Sequence, residues 1–136
     1  MNVEVYEYGG LGYIIDPESD TKIRTVILIG KQEVKCNPRP AVIYLSAQTI
    51  DKEYSGIEKL KEYCADHKVV FVCPKDQSID TLEATYKYLF KNHLELNVLR
   101  DQISICAADE SSVQAAETFQ TYLLEEYDVE AEKILL

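Results

Sequence analysis

Apolar and polar residues alternate along Val3-Glu-Val-Tyr-Glu-Tyr8, and again in the first half of Lys22-Ile-Arg-Thr-Val-Ile-Leu-Ile29. A period of two predicts β-strands with one face turned to a core. Gly9-Gly10-Leu11-Gly12 predicts a turn between the first strand and a second at Tyr13-Ile-Ile-Asp16, which Pro17 stops. Connections this short favour an antiparallel meander. No helical pattern follows the glycines, so they lack the helix N-terminus that a phosphate loop needs.

From residue 40 the rhythm changes. Ala41-Val-Ile-Tyr-Leu45, Val69-Val-Phe-Val-Cys73 and Ile103-Ser-Ile-Cys106 are short apolar runs, the first opened by Pro40 and the second closed by Pro74. Between and after them, apolar residues recur at helical spacing: Ile57, Leu60 and Cys64; Ile79, Leu82, Tyr86, Leu89, Phe90 and Leu94; Val113, Ala116, Phe119, Leu123 and Tyr127. Ser55-Gly-Ile-Glu58 and Ser111-Ser-Val-Gln114 have the spacing of capping boxes, and Ser78 suits an N-cap. Val129 to Leu136 reads as a last strand. Buried strands alternating with amphipathic helices predict an α/β fold of three α/β/α layers, mostly parallel, with antiparallel strands at the N-terminus.

Composition narrows the function classes. The 136 residues suit one domain, 1–136, and carry 46% hydrophobic and 28% charged residues, a globular balance. A formal net charge of -10 argues against nucleic acid and against anionic membrane surfaces, which are bound through Lys and Arg. No apolar run spans a bilayer, and Met1-Asn-Val-Glu-Val lacks a secretory leader's pattern, so a cytoplasmic protein is expected. Cys36, Cys64, Cys73 and Cys106 form no CxxC and no metal-ligand spacing, and they read as free thiols. No cofactor motif is present. Asp76, Asp80, Asp109 and Glu110 fall near predicted strand ends, where carboxylates could gather around Mg or Ca, although their spacing is no metal motif.

The phrases Pro40-Ala-Val-Ile-Tyr-Leu45, Leu60-Lys-Glu-Tyr-Cys-Ala-Asp-His-Lys-Val-Val-Phe-Val-Cys-Pro74, Leu82-Glu-Ala-Thr-Tyr-Lys-Tyr-Leu89 and Asn97-Val-Leu-Arg-Asp-Gln-Ile-Ser-Ile-Cys106 resemble the esterase and lipase branch of the α/β-hydrolase superfamily. The resemblance runs over about residues 40 to 128. It implies that 41–45, 69–73 and 103–106 are the family's third, fourth and fifth strands. The helix from about 111 would then carry the nucleophile elbow.

The family's chemistry does not follow the resemblance. A Gly-x-Ser-x-Gly elbow needs small residues in a crowded turn, and here Ala107-Ala108-Asp109-Glu110-Ser111 stands in its place. Asp109 occupies the nucleophile position. The family's His-Gly-Gly oxyanion segment is replaced by Ser46-Ala47-Gln48. The family's triad acid and histidine lie beyond its sixth strand, where this sequence has no residues. The two histidines, His67 and His93, precede the elbow on predicted helices. Haloalkane dehalogenases and epoxide hydrolases use an elbow aspartate, but their ester intermediate needs a His-activated water.

The sequence therefore reads as a truncated α/β-hydrolase-like domain with a degenerate elbow (Asp109, Glu110, Ser111) and a degenerate oxyanion loop (Ser46, Ala47), noncatalytic, a binding or interaction module. One alternative is an unusual esterase using Asp109 or a serine among Ser46, Ser111 and Ser112. The other is a flavodoxin-like binder of small ligands. A last strand left at an edge, and an uncovered face behind it, predict a homodimer through that strand.

Overall fold

The computed structural model describes residues 5–8, 11–15, 24–29, 36–48, 50, 54–74 and 76–135. Of the turn expected over Gly9-Gly10-Leu11-Gly12, the two leading glycines lie outside them, while Leu11 and Gly12 already belong to a strand paired with Tyr8 and Glu7; the break at Pro17 also lies outside. The strands are β1 (Val5–Tyr8), β2 (Leu11–Ile15), β3 (Arg24–Ile29), β4 (Arg39–Leu45), β5 (Val70–Pro74), β6 (Val98–Ala107) and β7 (Lys133–Leu135). The helices are α1 (Ile57–His67), α2 (Ile79–Lys91), the short α3 (His93–Leu96) and α4 (Glu110–Tyr127).

These strands form one sheet in the order β1-β2-β3-β5-β4-β6-β7. β5, β4, β6 and β7 are mutually parallel, whereas β1, β2 and β3 pair antiparallel, and β3 joins β5 antiparallel. The register of the parallel block sets Ile43 opposite both Val72 and Ile105.

The pleat sorts the core into two clusters. Ala41, Ile43, Leu45, Val70, Val72, Ile103, Ile105 and Ala107 face one side and bury Leu82, Leu89, Ala116, Phe119 and Leu123 of α2 and α4. Val42, Tyr44, Phe71, Cys73 and Cys106 face the other side, against Ile57 and Cys64 of α1. Side chains at successive strand positions point oppositely, so strands covered on both faces must be apolar at every position. Right-handed crossovers explain the segregation: β4 steps one way to β5 through α1, while the later steps run the other way through α2 and α4.

Several expectations need correction. The second face is not bare behind the last strand. Cys106 is 2% exposed, and Ile50 and Tyr54 of the β4–α1 connection pack into the same cluster. A loop supplies the cover that a sequence reading seeks in helices. The last strand is three residues, not the span from Val129. Before it, Ala131 is buried and its carbonyl accepts Gln120 Nε2–H at 2.8 Å, so the chain packs on α4 before joining the sheet.

The stripe on α2 stops early. Asn92 ends the helix, Leu96 enters the core instead, and Leu94 is 73% exposed. Phe90 lies outside as well, with the Arg100 guanidinium 5.6 Å from its ring centre. Ser55 does not cap α1. Gly56 is the N-cap, with no side-chain bond, and a Cβ there would meet Tyr54 Cε2 at 2.8 Å. Glycine lets the Tyr54 ring close against the helix start. Ser78 does cap α2, accepting the Thr81 N–H at 3.2 Å.

Candidate functional site

Parallel strands deliver their loops to one end of the sheet, and ligands of such sheets bind where neighbouring strands send their helices to opposite faces. Here that switch falls between β4 and β6. Leu45 leads into Ser46-Ala47-Gln48, and Ala107 leads into Ala108-Asp109. The backbone pairing carries on past the strands, with the Ala108 N–H donating to Leu45 O at 2.9 Å. This contact draws the two loops together.

Asp109 is the N-cap of α4 in extended conformation, but its side chain makes no cap bond to the helix. The capping box expected at Ser111…Gln114 is not formed, because the N-cap falls two residues earlier, at Asp109, and the acidic side chain turns across to the neighbouring loop. Oδ2 accepts the Ala47 N–H at 2.8 Å and lies 3.4 Å from the Ser46 hydroxyl. Oδ1 accepts the Ser111 hydroxyl at 2.8 Å and the Ser112 hydroxyl at 2.7 Å. Ser46 Oγ in turn accepts the Gln48 N–H at 3.1 Å.

A third loop completes the cluster. Gln77, after β5, donates through Nε2 to Ser112 Oγ at 2.8 Å and to Ser46 O at 3.2 Å. Ser112 is fully buried, so both its accepted and donated bonds are spoken for inside the protein. Sequence reasoning named Ser46, Ala47, Asp109, Ser111 and Ser112, and the structure brings all five together. It did not find Gln77. The available signal was the position of Gln77 just past a buried strand, at the ligand end of the sheet. Glu110 is exposed.

Electrostatics follow from the donors. The Ala47 N–H, then the Ser112 and Ser111 hydroxyls, hold the Asp109 carboxyl down at about 2. Such a carboxylate is a weak base and a weak nucleophile. All three candidate serines give their hydrogen to this same group or lie against it, and none contacts a histidine. His67 ends α1 and His93 begins α3, both just before the strands β5 and β6, so both sit at the opposite end of the sheet from Asp109. His67 stacks on Tyr63 with ring centres 3.9 Å apart.

Three of the four thiols are shielded from reaction. Cys64, Cys73 and Cys106 are buried and Cys36 is exposed, all free. Burial pushes the Cys64 and Cys106 thiols up to about 11, and Cys73 further. β4 lies between Cys73 and Cys106. Among the described residues, no three His, Cys, Asp or Glu side chains stand close enough to hold a metal ion, so Asp76, Asp80, Asp109 and Glu110 do not assemble as a cation site. Asp76 instead accepts the Ser78 N–H and hydroxyl at 3.0 and 2.8 Å. Among the described residues, no helix is long and apolar enough to cross a membrane.

Three solved structures that share this fold are esterases. One of two fungal esterases from Rhizomucor miehei superposes with a TM-score of 0.66 at 14% identity, over 98% of this chain and 42% of its own. The thermophilic carboxylesterase EstE1, cloned from a metagenomic library, gives 0.63 at 11% identity, over 98% and 45%. An esterase of the Planctomycetes species Thermogutta terrifontis, solved with butyrate bound, gives 0.56 at 13%, over 93% and 52%. The chain thus has the α/β-hydrolase fold and spans about half the length of these proteins. No protein-family model and no curated protein sequence matches it. The flavodoxin-like alternative shares only the order of the parallel block, since β3 flanks that block antiparallel.

Proposed function

We propose that this α/β-hydrolase-like chain is noncatalytic and acts as a binding or interaction module. One observation carries the reading. The Ala47 N–H, at the position from which an esterase of this fold stabilises an oxyanion, is bonded at 2.8 Å to the carboxylate at the nucleophile position. Acyl transfer needs a nucleophile, a base and free donors aimed at the developing charge. At this end of the sheet the donors are taken up by Asp109, and neither described histidine is within the cluster.

The partner in this reading is a second copy, meeting along the outer side of β7. What supports it is the place of β7 at the end of the strand order, paired among the described residues through β6 alone. Free strand edges recruit further strands. A cytoplasmic setting agrees with three free thiols in the core. The test of the catalytic reading is turnover of short-chain nitrophenyl esters, with labelling by a fluorophosphonate probe. Saturable turnover lost in Ser112→Ala or Asp109→Ala would replace this proposal with an unusual esterase.

A further inference from the structure

Two segments far apart in sequence, the loop after β4 and the first turn of α4, direct their donors at a single planar group. The Ala47 N–H and Ser46 hydroxyl approach one oxygen, at 2.8 and 3.4 Å, and the Ser111 and Ser112 hydroxyls approach the other, at 2.8 and 2.7 Å. Each oxygen has two donors, which is the pairing a carboxylate accepts. Two of these residues are braced from behind. Ser112 is fully buried, and Gln77 Nε2 bonds both its Oγ, at 2.8 Å, and the Ser46 carbonyl, at 3.2 Å. This bridge sets the separation of the two segments without touching the carboxylate. Among the described residues the donors to this group are one backbone N–H and three hydroxyls, all neutral.

We propose that these donors form a binding site for a small carboxylate anion, which the chain fills with its own Asp109. The side chain is a tethered ligand. Because it is covalently attached, its effective concentration excludes free acids from the unaltered protein. The inference rests on Asp109 being a structural group rather than a nucleophile. It goes further in assigning these segments a ligand class that survives removal of the side chain.

Size makes the test specific. Asp109→Ala removes a carboxylate, and formate replaces that group atom for atom. Asp109→Gly removes one carbon more, and acetate replaces that larger piece. Thermal melting is measured for each variant in sodium formate, acetate and chloride at equal ionic strength. A ligand bound only by the folded state raises the melting temperature, by about 2–5 °C near tenfold saturation for a domain of this size. The expected result is a saturable rise with formate for Asp109→Ala and with acetate for Asp109→Gly. The unaltered protein, and Asp109→Ala combined with Ser112→Ala, should melt alike in all three salts. If Asp109→Ala fails to fold in chloride, its refolding yield in formate is the readout. Equal melting, or equal refolding, in formate and chloride overturns the inference. Esterase turnover would overturn the noncatalytic reading instead, so the two failures are told apart.

Discussion

Ala47 donates its backbone N–H to the Asp109 carboxylate at 2.8 Å, across 62 residues of sequence. The bond ties the loop after β4 to the start of α4. Its consequences can be measured.

A serine at position 109 should not bring ester hydrolysis. Asp109→Ser removes the carboxylate and frees the Ala47 N–H, but it supplies no base, because His67 and His93 stand at the other end of the sheet. Ester hydrolysis by this variant should equal the buffer rate. A saturable rate would reveal a base that the described residues do not contain.

Acid should weaken the fold through this same group. The carboxyl is held at about 2 in the folded protein against 3.8 ordinarily. A depressed value means that the folded state prefers the charged form. The stabilisation is complete above about pH 4 and is lost as pH falls towards 2. Partial exposure reduces it to about 1–2 kcal/mol. Denaturant midpoints at pH 6 and pH 3 should differ less in Asp109→Asn than in the unaltered protein. An equal difference in both would detach the effect from Asp109.

Lys68 closes α1 in the left-handed region, with φ 54. A lysine Cβ is strained there and glycine is not, so Lys68→Gly should stabilise the protein by about 0.5–1 kcal/mol. The glycine's freedom in the unfolded chain works against this gain. Urea unfolding reads the balance, and a loss of stability would show that the entropy outweighs the strain.

Thiol chemistry should separate one cysteine from three. Cys36 is exposed, whereas Cys64, Cys73 and Cys106 are buried with raised values. Ellman's reagent should find one fast thiol per native chain, and none in Cys36→Ser. Gly56→Ala forces a Cβ into the Tyr54 ring, which packs in the cluster holding Cys106, and should speed the slow phase. An unchanged slow phase would mean that Tyr54 does not guard these thiols.

The second copy proposed along β7 has a direct measurement in light scattering at micromolar concentration. A mass near twice 15.5 kDa is expected, and a mass near 15.5 kDa excludes the pairing.

Much of this fold was legible because its strands are covered twice. Ala41-Val-Ile-Tyr-Leu45 and Val70-Phe-Val-Cys are apolar at every position because α1 lies on one face and α2 and α4 on the other. The stripe on α4 was legible for a similar reason, since Ala116, Phe119 and Leu123 repeat at helical spacing. What could not be read depends on contacts between distant segments. Leu94 has the spacing of the α2 stripe, yet Asn92 breaks the helix and Leu96 takes the core position. Ile50 and Tyr54 have no periodicity, and only the folded loop shows them as cover. At the site, the residues Ser46, Ala47, Asp109, Ser111 and Ser112 could be named from the sequence. The reach of Asp109 to Ala47, and of Gln77 to Ser112, was not, because no local rule links three loops.

The central place of β4 also decides where the molecule resists opening. It is hydrogen-bonded to β5 on one side and β6 on the other, and Ala41, Ile43 and Leu45 are at most 1% exposed. Its amide protons can meet solvent only when the strands beside it separate and both helical layers lift away. Deuterium should therefore enter Val42 to Leu45 last of all, at a rate set by global unfolding. The loop that binds Asp109 begins at the next residue, anchored to the slowest-exchanging strand of the sheet.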